Sequence, residues 1–251
     1  MNSVILSARD VDFLLHEWLD TDALFERPTF AQHSRETVDA VLELAQAVAT
    51  EKFAPHARSN DLHEPTFDGT TVSLIPEVGV ALKAFADAGF LTAGVPEDRG
   101  GGGLPTSIIS ACLAWFHAAN TATSGYALLS MAAANLIRTH GSDAQRTLFA
   151  EPLADGRFTG TMALSEPGAG SDLAAISTKA RLEDDTWVVN GQKIWTTFAH
   201  HADWIFAIVR TEPGSTRHAG LSYMLIPLDQ PGVRVVPIRT MLGDSGFNEV
   251  Y

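Results

Sequence analysis

The sequence has very few features that could cross-link the chain or anchor it in a membrane. Cys112 is its only cysteine, so an intrachain disulfide is impossible, as is typical of proteins in a reducing compartment. Residues 1–7 lack the basic start and the apolar run of a secretory signal. No stretch approaches about 18 uninterrupted apolar residues, the length that spans a bilayer. These absences predict a cytoplasmic protein without a membrane span.

Basic side chains are also scarce. The chain has 17 Lys and Arg against 30 Asp and Glu, a net charge of −13 at pH 7. Proteins that bind nucleic acid need Lys and Arg at the phosphates, so a nucleic-acid partner is not expected. A nucleotide-containing ligand remains possible, because backbone amides and a few basic groups can hold a phosphate. The 251 residues, 45% of them hydrophobic, suffice for one large domain or two smaller ones.

Several common catalytic motifs are missing. There is no His-Glu-x-x-His and no cysteine pair, so no metal site is predicted. Gly-x-Ser-x-Gly is absent, and Ser171 in its glycine-rich turn would need a histidine partner that the sequence does not place. The glycine run at residues 100–103 has no leading strand and no following Lys-Ser/Thr pair. We therefore interpret the run as a turn between helices.

Three further residues are candidates for acid–base chemistry. His200 and His201 are neighbours, so in a strand they would point to opposite faces and in a loop they would be solvated. Neither histidine is predicted to be catalytic. Glu166 precedes Pro167 and could be a buried base or an acceptor of backbone amides at the turn. The structural role is the favoured interpretation.

Residues 1–157 have the apolar periodicity of helices and are predicted to form an N-terminal all-α domain. Gly89 is predicted to follow a helix end, and Ser142 with Gln145 forms a capping box. Helices are predicted at about 10–19, 35–54, 76–88, 106–120, 123–139 and 142–155, with an irregular arm at 55–75.

At Phe158 the apolar period changes from about 3.6 to 2, which predicts a domain boundary there. Residues 158–251 then read as short strands separated by turn-forming residues, as in a small β-barrel or sandwich. The predicted fold class is α+β. Strands are predicted at about 157–165, 175–183, 186–190, 193–198, 204–210, 220–227 and 233–240.

Two segments of the second domain, residues 162–172 and 191–197, combine features of a ligand site. The first is an apolar strand that opens at Pro167 into small residues, where a ligand can approach the backbone. The second follows Asn190-Gly191, a dipeptide typical of a two-residue hairpin. Strand alternation places Trp195 and Thr197 on one face and Thr196 on the other. The aromatic ring of Trp195 and the hydroxyl of Thr197 could together bind a planar heterocycle. A simple turn and a half-buried strand explain each segment taken alone.

Together the two segments resemble the flavin-binding middle domain of the acyl-CoA dehydrogenases. That signature runs apolar-x-x-[Thr/Ser]-Glu-Pro-x-Ala-Gly-Ser-Asp, then Gly-x-Lys-x-[Trp/Phe]-[Ile/Thr]-[Thr/Ser]. The loop at residues 96–103 similarly resembles a turn of the family's N-terminal domain, so the resemblance covers essentially the whole chain. The matching positions are Ser165, Glu166, Pro167, Ala169, Gly170, Ser171, Asp172, Gly191, Lys193, Trp195 and Thr197.

The resemblance implies an N-terminal helical domain, a small β-barrel that binds FAD, and oxidation of an acyl-CoA thioester to the trans-2-enoyl thioester. A glutamate removes the α-proton while hydride leaves the β-carbon for the flavin. Carried over by position, Ser171 would contact acyl-CoA, Trp195 would cover one flavin face and Thr197 would bond near flavin N5. The full set implied to bind the cofactor is Met162, Ala163, Leu164, Ser165, Ser171, Trp195, Thr196 and Thr197, with backbone contacts only at Met162 and Ala163.

In most of the family the catalytic glutamate comes from a C-terminal helical domain, which also builds the oligomer. No glutamate in residues 1–251 matches that base, and Glu249 is interpreted as a strand residue. The expected protein is thus an acyl-CoA dehydrogenase chain that lacks the catalytic domain, with the base expected beyond Tyr251, and is inactive alone. Expected partners are acyl-CoA, an electron-transfer flavoprotein or similar acceptor, and further copies in a dimer or tetramer. The alternatives are an acyl-CoA oxidase, a flavin monooxygenase, or a non-catalytic or partner-completed subunit.

Overall fold

The computed structural model describes residues 5–69, 71–157 and 159–251. Phe158, at which the periodicity changes, lies outside the described residues. The chain divides into two compact units. The first contains the residues up to His63, Ile75–Met131 and Ala154–Gly156; the second contains Glu64–Leu74, Ala132–Leu153 and Arg157–Tyr251. None of the helices described has the length and apolar character that crossing a bilayer requires.

The first unit is helical and packs around aromatic rings. The ring of Phe116 lies edge-on to three others, with centroids 5.0 Å from Phe53, 4.8 Å from Phe85 and 5.0 Å from Phe90. Such edge-to-face contacts are favoured by the ring quadrupoles and add to the burial of apolar area. Helices beginning in this unit are α1 (Ala8–Asp12), α2 (Arg35–Val48), α3 (Ala57–Leu62), α4 (Pro76–Asp87) and α5 (Thr106–His140).

Helix α5 replaces the two helices predicted at 106–120 and 123–139, and Asn120 marks the join. Asn120 has extended dihedrals, φ −164° and ψ 91°, inside an otherwise helical stretch. Its Oδ1 accepts a hydrogen bond of 3.1 Å from the backbone N–H of Thr123, as an N-cap residue does. α5 therefore consists of two helical segments that meet at a kink at Asn120, and the second segment has its own N-cap.

Two other helical predictions need correction. The arm at 55–75, expected to be irregular, contains α3 and a short hairpin, since Pro55 lies in a 3₁₀ turn, where its missing N–H costs little. In the helix predicted at 10–19, a regular α-helical period would place Val11, Leu14, Leu15 and Trp18 on one apolar face. Only Leu15 is buried, and Trp18 is 71% exposed, because a π-helical turn at Phe13–Trp18 shifts the phase of the face.

The second unit carries the strands, which confirms the α+β prediction. It also contains the end of α5, together with α6 (Asp143–Gln145) and most of α7 (Glu151–Ala154). The predicted capping box of Ser142 and Gln145 is present at the start of α6. The strands are β1 (Thr66–Phe67), β2 (Val72–Ser73), β3 (Gly160–Ala163), β4 (Lys179–Glu183), β5 (Thr186–Asn190), β6 (Lys193–Thr197), β7 (Trp204–Arg210), β8 (Leu221–Pro227), β9 (Val235–Ile238) and β10 (Phe247–Val250).

Strand β7 organises this unit. It pairs in parallel with β3 and, at Arg210, with β4, and antiparallel with β8; β4 in turn pairs with β5. A second sheet has the antiparallel order β6-β10-β9. Ile205 and Ala207 of β7 share a hydrophobic core with Val250 of β10. Phe206, on the other face of β7, packs against Ile137 and other helical residues of the same unit.

The hairpin predicted at Asn190-Gly191 is wrong. Strand β5 pairs with β4 and β6 pairs with β10, so β5 and β6 are not partners. The two-residue hairpin lies instead between Glu183 and Thr186, with Asp184 at φ 54°. Gly191 serves close packing, because a Cβ there would lie 2.3 Å from Thr178 Oγ1. Asn-Gly is compatible with a turn but does not require one.

Candidate functional site

The two segments identified in the sequence lie side by side in the structure. The backbone N–H of Ile194 donates to the carbonyl oxygen of Ser165 at 2.9 Å. The hydroxyl of Thr161 donates to the carbonyl oxygen of Thr197. Strand β6 and the end of β3 thus form one continuous surface, although about thirty residues of chain separate Ser165 from Ile194.

A β-bulge sets the direction of the side chains on β6. Asn248 pairs with Thr196 and Val250 with Lys193, so Glu249 alone lies opposite the two residues between them. One of these two, Trp195, has a positive φ of 60°, which is rare for a residue with a side chain. The bulge buries both Lys193 and Thr196, three residues apart, which strict alternation would not do.

Trp195 presents its indole to solvent beside a second aromatic ring. Trp195 is 56% exposed, and its ring lies edge-on to that of Phe247, with the two ring centroids 6.0 Å apart. Phe247 begins β10 and is itself exposed. Exposed neighbouring aromatic rings leave apolar area in water unless a ligand or another surface covers it.

The hydroxyl next to Trp195 lacks a protein partner. Thr196 is 1% exposed, and in the part of the chain that the structure describes its Oγ1 has no hydrogen-bond partner. The Thr196 backbone carbonyl accepts a bond of 3.1 Å from Asn248 Nδ2, which fixes this residue on β10. A buried hydroxyl without a partner is costly, so an external polar group at this position would be stabilising.

Glu166 and Lys193 form a buried ion pair beneath this surface. Lys193 Nζ lies 2.9 Å from Glu166 Oε1 and 3.1 Å from the carbonyl oxygen of Leu164. The backbone N–H groups of Ser177 and Thr178 also donate to the Glu166 carboxylate, at 2.6 and 3.0 Å. The side chains of Glu166 and Lys193 are 3% and 5% exposed. The structural role predicted for Glu166, an acceptor of backbone amides, is confirmed.

The pKa of Glu166 reflects these contacts. Burial alone raises the pKa of a carboxyl group, but the hydrogen bonds from Thr178, Ser177 and Lys193 more than offset it and lower the pKa to about 2. Burial lowers the pKa of Lys193, and the Glu166 carboxylate counters that effect. Glu166 is therefore ionised and fully engaged, which excludes it as a base that cycles its proton near neutral pH.

The glycine-rich turn after β3 is closed by its own backbone. Glu166 N donates to the carbonyl oxygen of Ala169 at 2.8 Å, and Ala169 N donates back to Glu166 at 3.0 Å. A Cβ added at Gly168 or Gly170 would meet no atom within 4 Å. Ser171 follows the turn and is exposed. The turn thus leaves open space where the sequence predicted the approach of a ligand.

The residues predicted to bind the cofactor differ in how deeply they are buried. Ala163 is fully buried, and Met162 is partly buried against the cluster that contains Phe206. Leu164 and Ser165 are half-buried at the end of β3, next to β6. Thr197 is half-buried on β6. The side chains that remain accessible in this set are therefore those outside the buried part of β3.

The histidine pair after β6 is half-buried, in contrast to the solvated loop considered from the sequence. The rings of His200 and His201 lie 4.3 Å apart, and Phe67 packs edge-on to His200. Burial lowers the pKa of His200, and burial together with His200 lowers the pKa of His201 to about 3. His201 is uncharged near neutral pH, which agrees with the prediction that it has no acid–base role.

Strand β10 supplies site residues that the sequence analysis did not single out. Asn248 is fully buried and bonds to Thr196, and Phe247 faces Trp195. Glu249 is a strand residue, as predicted; its carboxylate accepts hydrogen bonds from Gln192 and Tyr251. A sequence signal for this strand would have to come from residues 247–250 alone, and four residues are too few to distinguish a strand from a loop.

These features fit a planar heterocyclic cofactor. Trp195 and Phe247 offer exposed aromatic area, and Thr196 offers a buried hydroxyl that needs a partner. The turn after Glu166 leaves room for a ligand beside its glycines. Stacking and hydrogen bonding of a flat ring system require this combination of groups.

Comparison with known proteins identifies the chain. Residues 35–157 match the family "Acyl-CoA dehydrogenase, N-terminal domain" and residues 161–250 match "Acyl-CoA dehydrogenase, middle domain". The acyl-CoA dehydrogenase IpdE1 of Mycobacterium tuberculosis is 42% identical over 169 residues, which are 67% of this chain and 44% of that protein. The 3-methylmercaptopropionyl-CoA dehydrogenase of Ruegeria pomeroyi is 30% identical over 87% of this chain and 38% of its own length.

Solved structures agree. An acyl-CoA dehydrogenase from Geobacillus kaustophilus superposes with a TM-score of 0.73 at 25% identity, over 87% of this chain and 56% of that one. The ChsE4–ChsE5 complex from Mycobacterium tuberculosis superposes with a TM-score of 0.70 at 26% identity, over 87% and 54%. The chain spans less than half the length of the curated relatives that it matches. It belongs to the acyl-CoA dehydrogenase family, of which it carries the N-terminal and middle domains.

Proposed function

We propose that this chain provides the FAD-binding and part of the acyl-CoA-binding surface of an acyl-CoA dehydrogenase, which oxidises an acyl-CoA thioester to its trans-2-enoyl product. The observation that carries the proposal is the combination of exposed Trp195, buried unpartnered Thr196 and the adjacent end of β3. FAD, when bound, supplies the hydride acceptor. The protein's part is to hold the ring, orient the substrate and exclude water.

Each residue of β6 has a proposed role. The Trp195 indole covers one face of the flavin ring, which its exposure and the bulge at this position allow. Thr196 Oγ1, which lacks a partner within the described chain, donates to or accepts from a polar atom of the ring. Thr197 bonds near flavin N5. The buried Glu166–Lys193 pair positions β6 against β3 and so fixes the distance between these groups.

The end of β3 and the glycine turn complete the proposed surface. Met162, Ala163 and Leu164 contribute backbone groups, because the first two side chains point into the core. The Ser165 hydroxyl lies at the ring edge. Ser171, exposed after the turn, contacts the pantetheine or nucleotide part of acyl-CoA. An acyl-CoA carries several phosphate and amide groups, which backbone amides of a glycine turn can bind.

The base that removes the α-proton is proposed to come from outside residues 1–251. Glu166 is held ionised by Lys193 and backbone amides, and Glu249 is engaged by Gln192 and Tyr251. A general base needs a free lone pair and a pKa near the working pH. Glu166 does not meet that requirement, and Glu249 is held by Gln192 and Tyr251, so a further segment or a partner chain is proposed to supply the base. The electron acceptor is proposed to be an electron-transfer flavoprotein or a similar carrier.

A partner-completed subunit is the second candidate. The observation that favours it is the similarity to the ChsE4–ChsE5 complex, which is named for two different components. Under this proposal a second chain, rather than another copy of this one, completes the site. Purification from native cells distinguishes the two: one polypeptide in the isolated oligomer supports a homo-oligomer, and two in equal amounts support the partner-completed form.

The cofactor surface is tested by comparing two exposed tryptophans of the same unit. Trp195→Ala removes the proposed stacking face, whereas Trp187→Ala removes a similarly exposed ring from β5, away from the bulge. We expect titration with FAD to show about tenfold or greater loss of affinity for the Trp195 variant, since aromatic stacking on a ring contributes about 1–3 kcal/mol. The Trp187 variant should bind like the parent. Equal losses, or no FAD binding by the parent, would contradict the proposal.

The reaction class is tested on the complete protein. Acyl-CoA thioesters added without oxygen should reduce the bound flavin and bleach its visible absorption. Slow reoxidation by air, with fast reoxidation by an electron-transfer flavoprotein, supports a dehydrogenase. Rapid consumption of oxygen by the reduced flavin would instead indicate an oxidase or a monooxygenase.

A further inference from the structure

We propose that Asp12, His16 and Asp39 form a binding site for a single divalent metal ion of the zinc class, which joins the N-terminal helical segment to α2. Atoms of these three side chains that can bind a metal lie within 4.8 Å of one another. All three belong to the first unit and lie outside the surface proposed to bind FAD. Nothing in the proposed dehydrogenation requires this site.

The backbone brings the three ligands together. Asp12 ends α1 and His16 lies one turn later in the π-helical segment Phe13–Trp18, so both project from the same side. Asp39 lies in the first half of α2. The imidazole of His16 is almost fully buried between these elements, with its side chain 1% exposed, whereas the two aspartates are about half exposed. The site therefore has a fixed nitrogen and two adjustable carboxylates.

A fourth residue fixes the tautomer of His16. The Nδ1 atom of His16 lies 2.8 Å from Asp22 Oδ1, and a carboxylate can only accept a hydrogen bond. Nδ1 therefore donates this hydrogen bond, and Nε2 is the ring atom left to face a metal ion. A carboxylate that holds the far nitrogen of a metal-binding histidine is the usual outer partner in zinc sites.

The free nitrogen of His16 is buried and points at the aspartates. Nε2 makes no hydrogen bond within the described chain, and its distance to Asp39 Oδ1 is 3.5 Å. That separation is too long for a good hydrogen bond, which spans about 2.7–3.2 Å. Two ligands each about 2.1 Å from a tetrahedral ion lie about 3.4 Å apart. The spacing matches a shared metal ion better than a direct bond.

The charge of the cluster also calls for a cation. Asp12, Asp22 and Asp39 surround a single guanidinium, that of Arg35, at 2.8, 3.8 and 3.8 Å. The three carboxylates and the one guanidinium together carry a net charge of −2, which a divalent ion would neutralise. Arg35 is half exposed, so its side chain can leave Asp12 when a metal binds. One imidazole and two carboxylates suit zinc, with water in the remaining position.

Arg35 provides a test that separates a metal site from an ion-pair network. In a metal site the guanidinium competes with the ion, so Arg35→Gln should raise the affinity for Zn²⁺ severalfold. In a network closed by arginine alone, the same variant would bind no Zn²⁺ and would only lose stability. His16→Gln and Asp39→Asn remove ligands and should each lower the affinity at least tenfold. Asp22→Asn keeps all three ligands and should lower it about 10- to 100-fold.

The measurement is Zn²⁺ titration of the whole chain by calorimetry after treatment with EDTA, together with thermal unfolding at each metal concentration. Asp87→Asn, which removes a carboxylate paired only with Lys83 on α4, is the matched control and should bind like the parent. Circular dichroism in EDTA checks that each variant folds. One equivalent of Zn²⁺ per chain, lost in the ligand variants and strengthened by Arg35→Gln, supports the site. No uptake, or uptake unchanged in His16→Gln and Asp39→Asn, overturns it.

Discussion

Glu166 is the residue on which the candidate site depends most, although it has no proposed part in the chemistry. Its carboxylate accepts bonds from Lys193, Ser177 and Thr178, and so ties the glycine turn, the segment before β4 and β6 to one buried point. Removing one member of a buried ion pair leaves the other charge without compensation, which costs about 3–5 kcal/mol.

We expect Glu166→Gln to lower the free energy of unfolding by about 3 kcal/mol, because the amide keeps the shape but leaves Lys193 as an unpaired buried charge. Urea unfolding measures the change. Glu183→Gln, which alters an exposed carboxylate on β4 of the same unit, is the control and should change stability by less than about 0.5 kcal/mol. Similar values for the two variants would show that the ion pair contributes little.

The same carboxylate predicts a dependence of stability on pH. The pKa of Glu166 is about 2 in the folded chain against an ordinary value of 4.5. A lowered folded pKa stabilises the protein above the unfolded value, and this contribution is lost as pH falls from 4.5 towards 2. The difference is worth about 3 kcal/mol. Unfolding free energies measured across this range should fall more steeply for the parent than for Glu166→Gln; parallel curves would contradict the assignment.

At the scale of elements, β6 shows how one extra residue changes a strand. The sequence predicted its position within one residue, because apolar alternation is a local signal. It could not predict the bulge at Trp195, the pairing with β10 or the absence of a hairpin at Gly191. Those depend on strands that are distant in sequence, and such pairings leave no local period.

Gly191 and Gly168 provide a matched pair at this scale. A Cβ at Gly191 would lie 2.3 Å from Thr178 Oγ1, whereas a Cβ at Gly168 would meet nothing within 4 Å. We expect Gly191→Ala to destabilise the protein by about 1–3 kcal/mol through overpacking, and Gly168→Ala to be close to neutral. Thermal unfolding of the two variants provides the comparison. Equal melting temperatures would show that Thr178 moves aside without cost.

At the scale of the whole molecule, the sequence predicted the order of architectures and the family correctly. Composition and periodicity distinguish helices from strands over long stretches, and the Glu-Pro-x-Ala-Gly-Ser-Asp motif is specific. The boundaries of the two compact units could not be derived from the periodicity of the sequence. The structure groups Ala132–Leu153, which is helical, with the strands. Periodicity marks a change of secondary structure, while a compact unit is defined by contacts across the chain.

The proposed division of labour predicts how the isolated chain behaves. We expect residues 1–251, purified alone, to bind FAD but to show no bleaching of the flavin by acyl-CoA, because Glu166 and Glu249 are both engaged in hydrogen bonds. Bleaching at the rate of the complete protein, followed anaerobically by absorbance, would mean that a base lies within these residues.

The long-range strand pairing that builds the candidate site also determines when the site can form. The hairpin of β4 and β5 closes across two residues, whereas Thr196 meets Asn248 across 52 positions of chain. Closing long loops costs more entropy before any contact compensates, so distant pairings form late on the folding pathway. The surface proposed to bind FAD is thus among the last parts to assemble during synthesis or refolding. A cofactor that binds there would act on the final folding step and trap the completed fold.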